Sequence, residues 1–277
     1  MAGFGGVISA DRPLVLLGCG NMGQALLAGW LSQGLPRGQV FIVDPVIAEP
    51  GLPELGIPEE QCAARTPADM AAGIVILAVK PQIFDDAAAS IAKACDAKTT
   101  ALSIMAGTSI QTIAQALPSA GGIVRTMPNT PASIGKGVTA LFAEPRVSDS
   151  ARDGCAALMQ AAGRTVWVDA ESDLNAVTAV SGSGPAYVFH MIECLAAAGI
   201  DQGLKPDVAE ALAIETVYGA GALAAARTAS PQQLRINVTS PGGTTQAGLD
   251  VLMQEGGLKP LIADTVDAAK RRADALG

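Results

Sequence analysis

Short, almost uninterrupted apolar runs alternate with amphipathic stretches through roughly the first 170 positions, and after that the runs stop. Pro13–Leu17, Val40–Val43, Ile74–Val79 and Thr100–Ile104 are apolar at nearly every position rather than at every second one. That is how strands read when both faces are covered, as in a parallel sheet. Gly122–Thr126, Val138–Phe142 and Thr165–Val168 continue the series. Between them, Gln24–Leu31 has helical spacing, a helix follows Lys80-Pro81-Gln82 to about Ala94, another opens after Met105–Thr108, and a further one covers Asp149–Ala161. This alternation predicts a doubly wound parallel sheet, with ligands at the carboxyl ends of its strands. After about Glu171 only helical segments are predicted: Leu174–Ala198, Pro206–Ala226, Pro241–Gln254 and Leu258–Leu276. Ala211–Ala226 is apolar on more than one face, which calls for burial all round. One small helical layer cannot supply that, so the pattern predicts a homodimer built from this part.

The first strand runs into Gly18-Cys19-Gly20-Asn21-Met22-Gly23 and then a helix. This is G-x-G-x-x-G in the strand–turn–helix setting of a dinucleotide fingerprint. The first glycine serves the tight turn, the second the approach of a pyrophosphate, the third the packing of helix on strand. The second strand ends in Asp44, 21 residues after Gly23, where a carboxylate meets adenosine ribose hydroxyls. Gly18, Cys19, Gly20, Asn21, Met22, Gly23 and Asp44 are therefore candidate cofactor residues. So are Ala78, Val79, Lys80, Pro81, Met105, Ala106 and Asn129, from the loops at other carboxyl ends. The cofactor is NADH or NADPH, and the sequence leans toward NADH. Asp44 repels a 2′-phosphate, and Pro45–Glu49 supplies no offsetting cation, leaving Arg65 as a more distant one. The fold class is thus an α/β Rossmann-type doubly wound sheet (residues 11–170) with a C-terminal all-helical dimerisation and substrate-binding domain (residues 171–277).

Ser240-Pro241-Gly242-Gly243-Thr244-Thr245 reads as a helix start stripped of side chains. Serine suits the N-cap and proline the first helical position. Each glycine in a first turn costs roughly 1 kcal/mol relative to alanine, a cost that makes sense where bare amides must face an anion. The break at Ser181–Pro185 is read either as a plain helix break or as a place of close backbone approach.

Net charge is −8, which argues against nucleic acid or an anionic membrane as partner and leaves an anionic cofactor to local dipoles. Five scattered cysteines without a C-x-x-C pair read as reduced and mostly buried. His190 is the only histidine, so a histidine-based metal cluster is excluded and no metal is expected. The first ten residues lack a signal peptide's features, and Ala186–Ile200 is too short to span a bilayer. The expectation is a soluble, cytoplasmic enzyme acting on a small molecule.

Taken together, GCGNMG at Gly18–Gly23, AVKPQ at Ala78–Gln82, RTMPNTP at Arg125–Pro131, AVTAVSGSGPAYVF at Ala176–Phe189 and VTSPGGTT at Val238–Thr245 resemble the pyrroline-5-carboxylate reductase family essentially from end to end. Ile236 and Asn175 depart from the family's usual acidic residues. The resemblance implies reduction of 1-pyrroline-5-carboxylate to L-proline, the last step of proline biosynthesis, and an active site shared between subunits of a homodimer or a larger assembly of dimers. A protonated cyclic imine is already a good electrophile, so hydride transfer needs positioning more than acid–base machinery. No histidine–carboxylate dyad is evident, and there is no lysine between Lys136 and Lys205, which argues against a β-hydroxyacid dehydrogenase. Another cyclic-imine carboxylate reductase and a non-catalytic nucleotide sensor stay open as alternatives. The substrate residues expected are Ser240, Gly242, Gly243 and Thr244 around the carboxylate. Thr245 is the catalytic residue, bonding the ring nitrogen, and His190 is a core or interface residue.

Overall fold

Strand β1 (Leu14–Leu17), fully apolar and buried on both faces, is the centre from which the sheet is built outward. The computed structural model describes residues 6–46 and 52–276. Helix α1 (Asn21–Ser32) leads from β1 to β2 (Val40–Val43), which pairs parallel to it. β3 (Cys62–Ala63) adds two residues beyond β2, and β4 (Ile74–Leu77) returns to the other side of β1. The short α2 (Phe84–Ala88), β5 (Thr100–Ser103), α3 (Ile110–Ala116) and β6 (Gly122–Met127) extend the sheet in parallel. β7 (Gly137–Ala143), α4 (Asp149–Gln160) and β8 (Gly163–Trp167) complete it, giving the order β3-β2-β1-β4-β5-β6-β7-β8.

The sheet departs from the all-parallel expectation at its end. β7 runs antiparallel to β6, and β8 follows β7 through α4 in parallel. Residues 128–136 join β6 to β7 and hold only a 3-10 turn, Thr130–Ile134. A parallel crossover needs a dozen residues or more, so the chain turns straight back. Side chains from alternating strand positions feed two cores, one on each face. Trp30 of α1 is fully buried and donates its indole N–H to Leu158 O of α4 at 2.8 Å. The predicted helix up to Ala94 is instead α2 between two 3-10 turns, Pro81–Ile83 and Ala92–Ala94.

The rest of the chain is helical: α5 (Asp173–Val177), a π-helical turn (Thr178–Gly182), α6 (Gly184–Asp201), α7 (Pro206–Ala225), α8 (Pro231–Asn237), α9 (Thr244–Met253) and α10 (Leu258–Asp274). The chain divides into two compact units. The first runs through Gly182 and takes back the C-terminal Lys270–Gly277, and the second is Ser183–Ala269. α5 and the π-helical turn belong to the first, where Leu174 and Ala179 are buried. Asn175 donates to Asp274 Oδ1 at 2.9 Å, tying the returning end of the chain to α5. An aspartate at 175 would instead set two carboxylates against each other, which rationalises asparagine there.

In the second unit α6 packs along α7, and Val188, Phe189, Met191, Leu195, Leu212 and Leu223 remain exposed. α7 is long and apolar enough to cross a membrane by length and composition alone, with mean hydropathy 1.3. It also carries Asp207, Glu210 and Glu215. His190 is not a core residue of the protomer: its side chain is 75% exposed, with Nδ1 3.0 Å from Glu193 Oε2. Burial is the largest influence on the thiols, pushing Cys19 and Cys155 up to about 12 and Cys95 to about 11. Cys194 alone is exposed.

Candidate active site

The fingerprint loop sits between the carboxyl ends of β1 and β4, where the strand order reverses and doubly wound sheets bind their ligands. Gly18 has φ +85°, and a Cβ there would come within 2.9 Å of Ala78 O, so the turn and the neighbouring loop both require glycine. A Cβ on Gly23 would meet Gly18 O at 2.8 Å, so the helix lies tight against the turn. Around Gly20, by contrast, an added Cβ would meet nothing within 4 Å. The first helical bond of α1 is Gln24 N–H to Gly20 O, and no side chain caps the helix. The amides of Asn21, Met22 and Gly23 therefore lack intrahelical partners, next to the clear space at Gly20. These features fit a pyrophosphate, which a helix N-terminus attracts by its dipole and its bare donors.

Asp44 lies at the end of β2. Its carboxylate accepts N–H bonds from Cys19 and Val46, both at 2.9 Å, so it caps its own loop and holds the fingerprint in place. Ile47, Ala48 and Glu49, which also enter the cofactor-choice argument, lie outside the described residues. The neighbouring β3 is not legible in the sequence, because two residues carry no period. It brings Ala63 beside β2, where the Ala63 carbonyl accepts the Asp44 N–H at 3.0 Å. The loops after β4, β5 and β6 complete this edge. Lys80, Pro81 and Ala106 are exposed there, with Ala78 and Val79 partly so. Met105 is buried in the core rather than open at this edge. Asn129 Oδ1 accepts from Val138 N–H at 3.0 Å and its Nδ2 donates to Ser181 O at 3.3 Å, fixing the β6–β7 loop to the π-helical turn. Arg125, on β6, donates to Glu171 Oε1 at 2.7 Å, and the same oxygen accepts the Ile110 N–H at the start of α3.

The substrate candidates Ser240, Gly242, Gly243, Thr244 and Thr245 lie together in the second unit. Here the structure moves the helix start. α9 begins at Thr244 with Gly243 as N-cap, so Ser240 is not the cap and Pro241 is not in the first turn. Ser240–Gly243 is a β-turn closed by Gly243 N–H to Ser240 O at 3.0 Å. Proline at its second position and φ +72° at Gly242 are the signature of a type II turn, which demands glycine at the third. The cost of Gly242 is thus a turn's cost, and the Gly243 amide is already engaged. The donors left open are Thr244, Thr245 and Gln246, which precede the first helical bond, Ala247 N–H to Gly243 O. The Ser240 hydroxyl is exposed and has no partner among the described residues.

The cofactor candidates therefore converge on one sheet edge of the first unit and the substrate candidates on one helix start of the second. The family model for pyrroline-5-carboxylate reductase dimerisation matches residues 171–276, and that for NADP oxidoreductase, coenzyme F420-dependent, matches residues 13–107. A pyrroline-5-carboxylate reductase of Pseudomonas aeruginosa is 34% identical over 262 residues, covering 94% of this chain and 95% of its own. The structure of a pyrroline-5-carboxylate reductase from Coxiella burnetii is 31% identical with a TM-score of 0.88, covering 96% and 99% of the two chains. That of Plasmodium falciparum pyrroline carboxylate reductase with NADP bound is 27% identical, with a TM-score of 0.77 over 96% and 100%. At such identity over almost its whole length, the chain belongs to the pyrroline-5-carboxylate reductase family.

Proposed function

We propose that this protein reduces 1-pyrroline-5-carboxylate to L-proline by hydride transfer from a nicotinamide dinucleotide, the last step of proline biosynthesis. The observation that carries this reading is the start of α9: a glycine-bearing type II turn followed by the free amides of Thr244, Thr245 and Gln246. That arrangement suits a small carboxylate, and the family supplies the substrate that bears one.

A reduced nicotinamide bound at the first unit's sheet edge supplies the hydride. The chain's own residues position the imine. The Thr244 amide and the Ser240 hydroxyl hold the carboxylate, Gly243 keeps the approach clear, and Thr245 donates to or accepts from the ring nitrogen. The nitrogen is protonated from solvent before reduction, so hydride adds to an iminium carbon and leaves a secondary amine. No acid on the enzyme is required. The dinucleotide is cradled by Gly18–Gly23 and Asp44, with Ala78–Pro81, Met105, Ala106 and Asn129 along its length. Asp44 makes NADH the better donor.

We place the nucleotide-binding domain at 11–170 and the dimerisation and substrate domain at 171–277. The exposed apolar faces of α6 and α7 are covered by a second copy rather than by lipid, in a homodimer or an assembly of dimers. Each site then combines one subunit's nucleotide-binding domain with the other's Ser240–Thr245. We place the enzyme in the cytoplasm. The test is oxidation of NADH or NADPH with 1-pyrroline-5-carboxylate set against its six-membered homologue. Turnover confined to the five-membered ring supports the reading; preference for the six-membered ring, or no turnover, refutes it.

A further inference from the structure

We propose that Arg65 is the residue through which this chain accepts a 2′-phosphorylated cofactor; the inference rests on the dinucleotide site proposed above. The argument begins with topology. β3 is parallel to β2 and in register with its last residues, Ile42 with Cys62 and Val43 with Ala63. The chain therefore leaves β3 at the same edge where β2 delivers Asp44. The Asp44 N–H to Ala63 O bond at 3.0 Å locks the two exits side by side. Arg65 comes two residues after Ala63, and two residues of extended chain span at most about 7 Å. On the far side, Thr66 is buried, and both its N–H (3.0 Å) and its hydroxyl (3.2 Å) donate to Ser90 O. The backbone carrying Arg65 is thus fastened at both ends, next to the carboxylate expected to meet the ribose.

Arg65 itself is exposed, and among the described residues it has neither an ion pair nor a hydrogen bond. The other arginines near this part of the sheet are occupied or misplaced. Arg12 is paired with Asp96. Arg37 precedes β2, at the opposite end of that strand, and its Nε donates to Leu55 O. Asp44 cannot turn away to make room for a phosphate, because both of its oxygens hold backbone amides. A second negative charge at the ribose therefore meets a fixed carboxylate, and a guanidinium from the adjoining strand exit is the group that can offset it. Guanidinium suits the task, since its fork presents paired donors to phosphate oxygens. Arg65 does not erase the preference that Asp44 imposes; it sets how much NADPH binding survives it.

The test is calorimetric binding of NADH and NADPH to the full-length enzyme, with AMP and adenosine 2′,5′-bisphosphate as fragment probes. Arg65→Ala is expected to lower the ratio of NADPH to NADH affinity about ten-fold, and the ratio of bisphosphate to AMP affinity likewise. Arg65→Lys should recover part of both ratios, and the wild-type advantage over Arg65→Ala should shrink as salt rises. Ratios unchanged by Arg65→Ala, in a variant whose circular dichroism and NADH affinity match the wild type, would overturn the assignment while leaving the dinucleotide site standing. Failure of the wild type to bind either dinucleotide would overturn both.

Discussion

The carboxylate of Asp44 accepts the backbone N–H of Cys19 at 2.9 Å, so the residue proposed to meet the ribose also anchors the fingerprint loop. Its charge and its acceptor oxygens are separable. A fixed carboxylate opposes a 2′-phosphate, which predicts a higher kcat/KM with NADH than with NADPH. Asp44→Asn removes the charge and retains one acceptor, so it should narrow the gap by roughly five-fold, about 1 kcal/mol of screened repulsion. Asp44→Ser should narrow it too, while raising KM for both dinucleotides, because its shorter side chain does not reach Cys19 and Val46 together. Steady-state kinetics with both cofactors check this, and a clear NADPH preference in the wild type would sink it.

Assembly gives a second prediction. The apolar residues exposed on α6 and α7 are expected to disappear into a dimer that sedimentation or light scattering detects. Gly20→Val would fill the clear space over α1 without touching the fold, since nothing lies within 4 Å of the added Cβ. Gly243→Val would place its Cβ 3.1 Å from Ser240 O, at the start of α9 where the substrate carboxylate is proposed to bind. Each variant alone should be nearly inactive, and co-expression should restore part of the activity if sites combine two subunits. A stable, fully active monomer is the contrary result.

A third prediction concerns stability at acid pH. Arg12 reaches both oxygens of Asp96, at 2.6 and 2.9 Å, and also donates to Ala72 O at 2.7 Å. This pins the entry to β1 against the entries to β4 and β5. The hydrogen bond from Arg12 is the first cause holding the Asp96 carboxyl well below the usual carboxylate range. A carboxylate depressed on folding stabilises the native state above the ordinary aspartate range, and that contribution fades progressively as pH falls from there toward the depressed folded value. Asp96 is 47% exposed, so screening limits the effect to about 1 kcal/mol. Asp96→Asn should lower Tm by about 2–4 °C at pH 7 and by less at pH 3. An equal loss at both pH values would refute the electrostatic account.

Much of the nucleotide-binding sheet could be read from the chain because parallel strands are apolar throughout, and Val40–Val43 is observed with the predicted bounds. An apolar run carries no direction, however, so the reversal at β7 was invisible until the length of the connection decided it. β3 is too short to have a period, which hid the neighbourhood of Arg65. α8 did carry a signal: Ser230 caps it by accepting the Gln233 N–H at 3.1 Å, with Pro231 next. Its seven residues simply lacked an apolar stripe. Before α9, Ser-Pro-Gly-Gly satisfies both a helix start and a type II turn on composition alone. The φ of Gly242 chose between them and shifted the open donors to Thr244, Thr245 and Gln246.

The final prediction concerns catalysis by Thr245 and the part left to His190. Thr245 sits one residue inside α9, its amide without a helical partner and its side chain exposed in the protomer. If its hydroxyl orients the imine nitrogen, Thr245→Ala loses one positioned hydrogen bond in a partly desolvated site, about 1–3 kcal/mol of transition-state stabilisation. That is roughly a ten- to hundred-fold fall in kcat/KM. Thr245→Ser keeps the hydroxyl and should recover most of it. A bulky residue at 243 should act differently, raising KM for the imine carboxylate steeply, because it crowds the anion rather than the nitrogen. His190 lies on α6 with Glu193 as its partner and belongs to the helix that the partner subunit is expected to cover. Because the proton comes from solvent, His190→Ala should leave the pH profile of kcat/KM nearly unchanged, even if the dimer weakens. Loss of turnover in a folded, dimeric His190→Ala enzyme, or an unaltered kcat/KM in Thr245→Ala, would show this mechanism to be wrong.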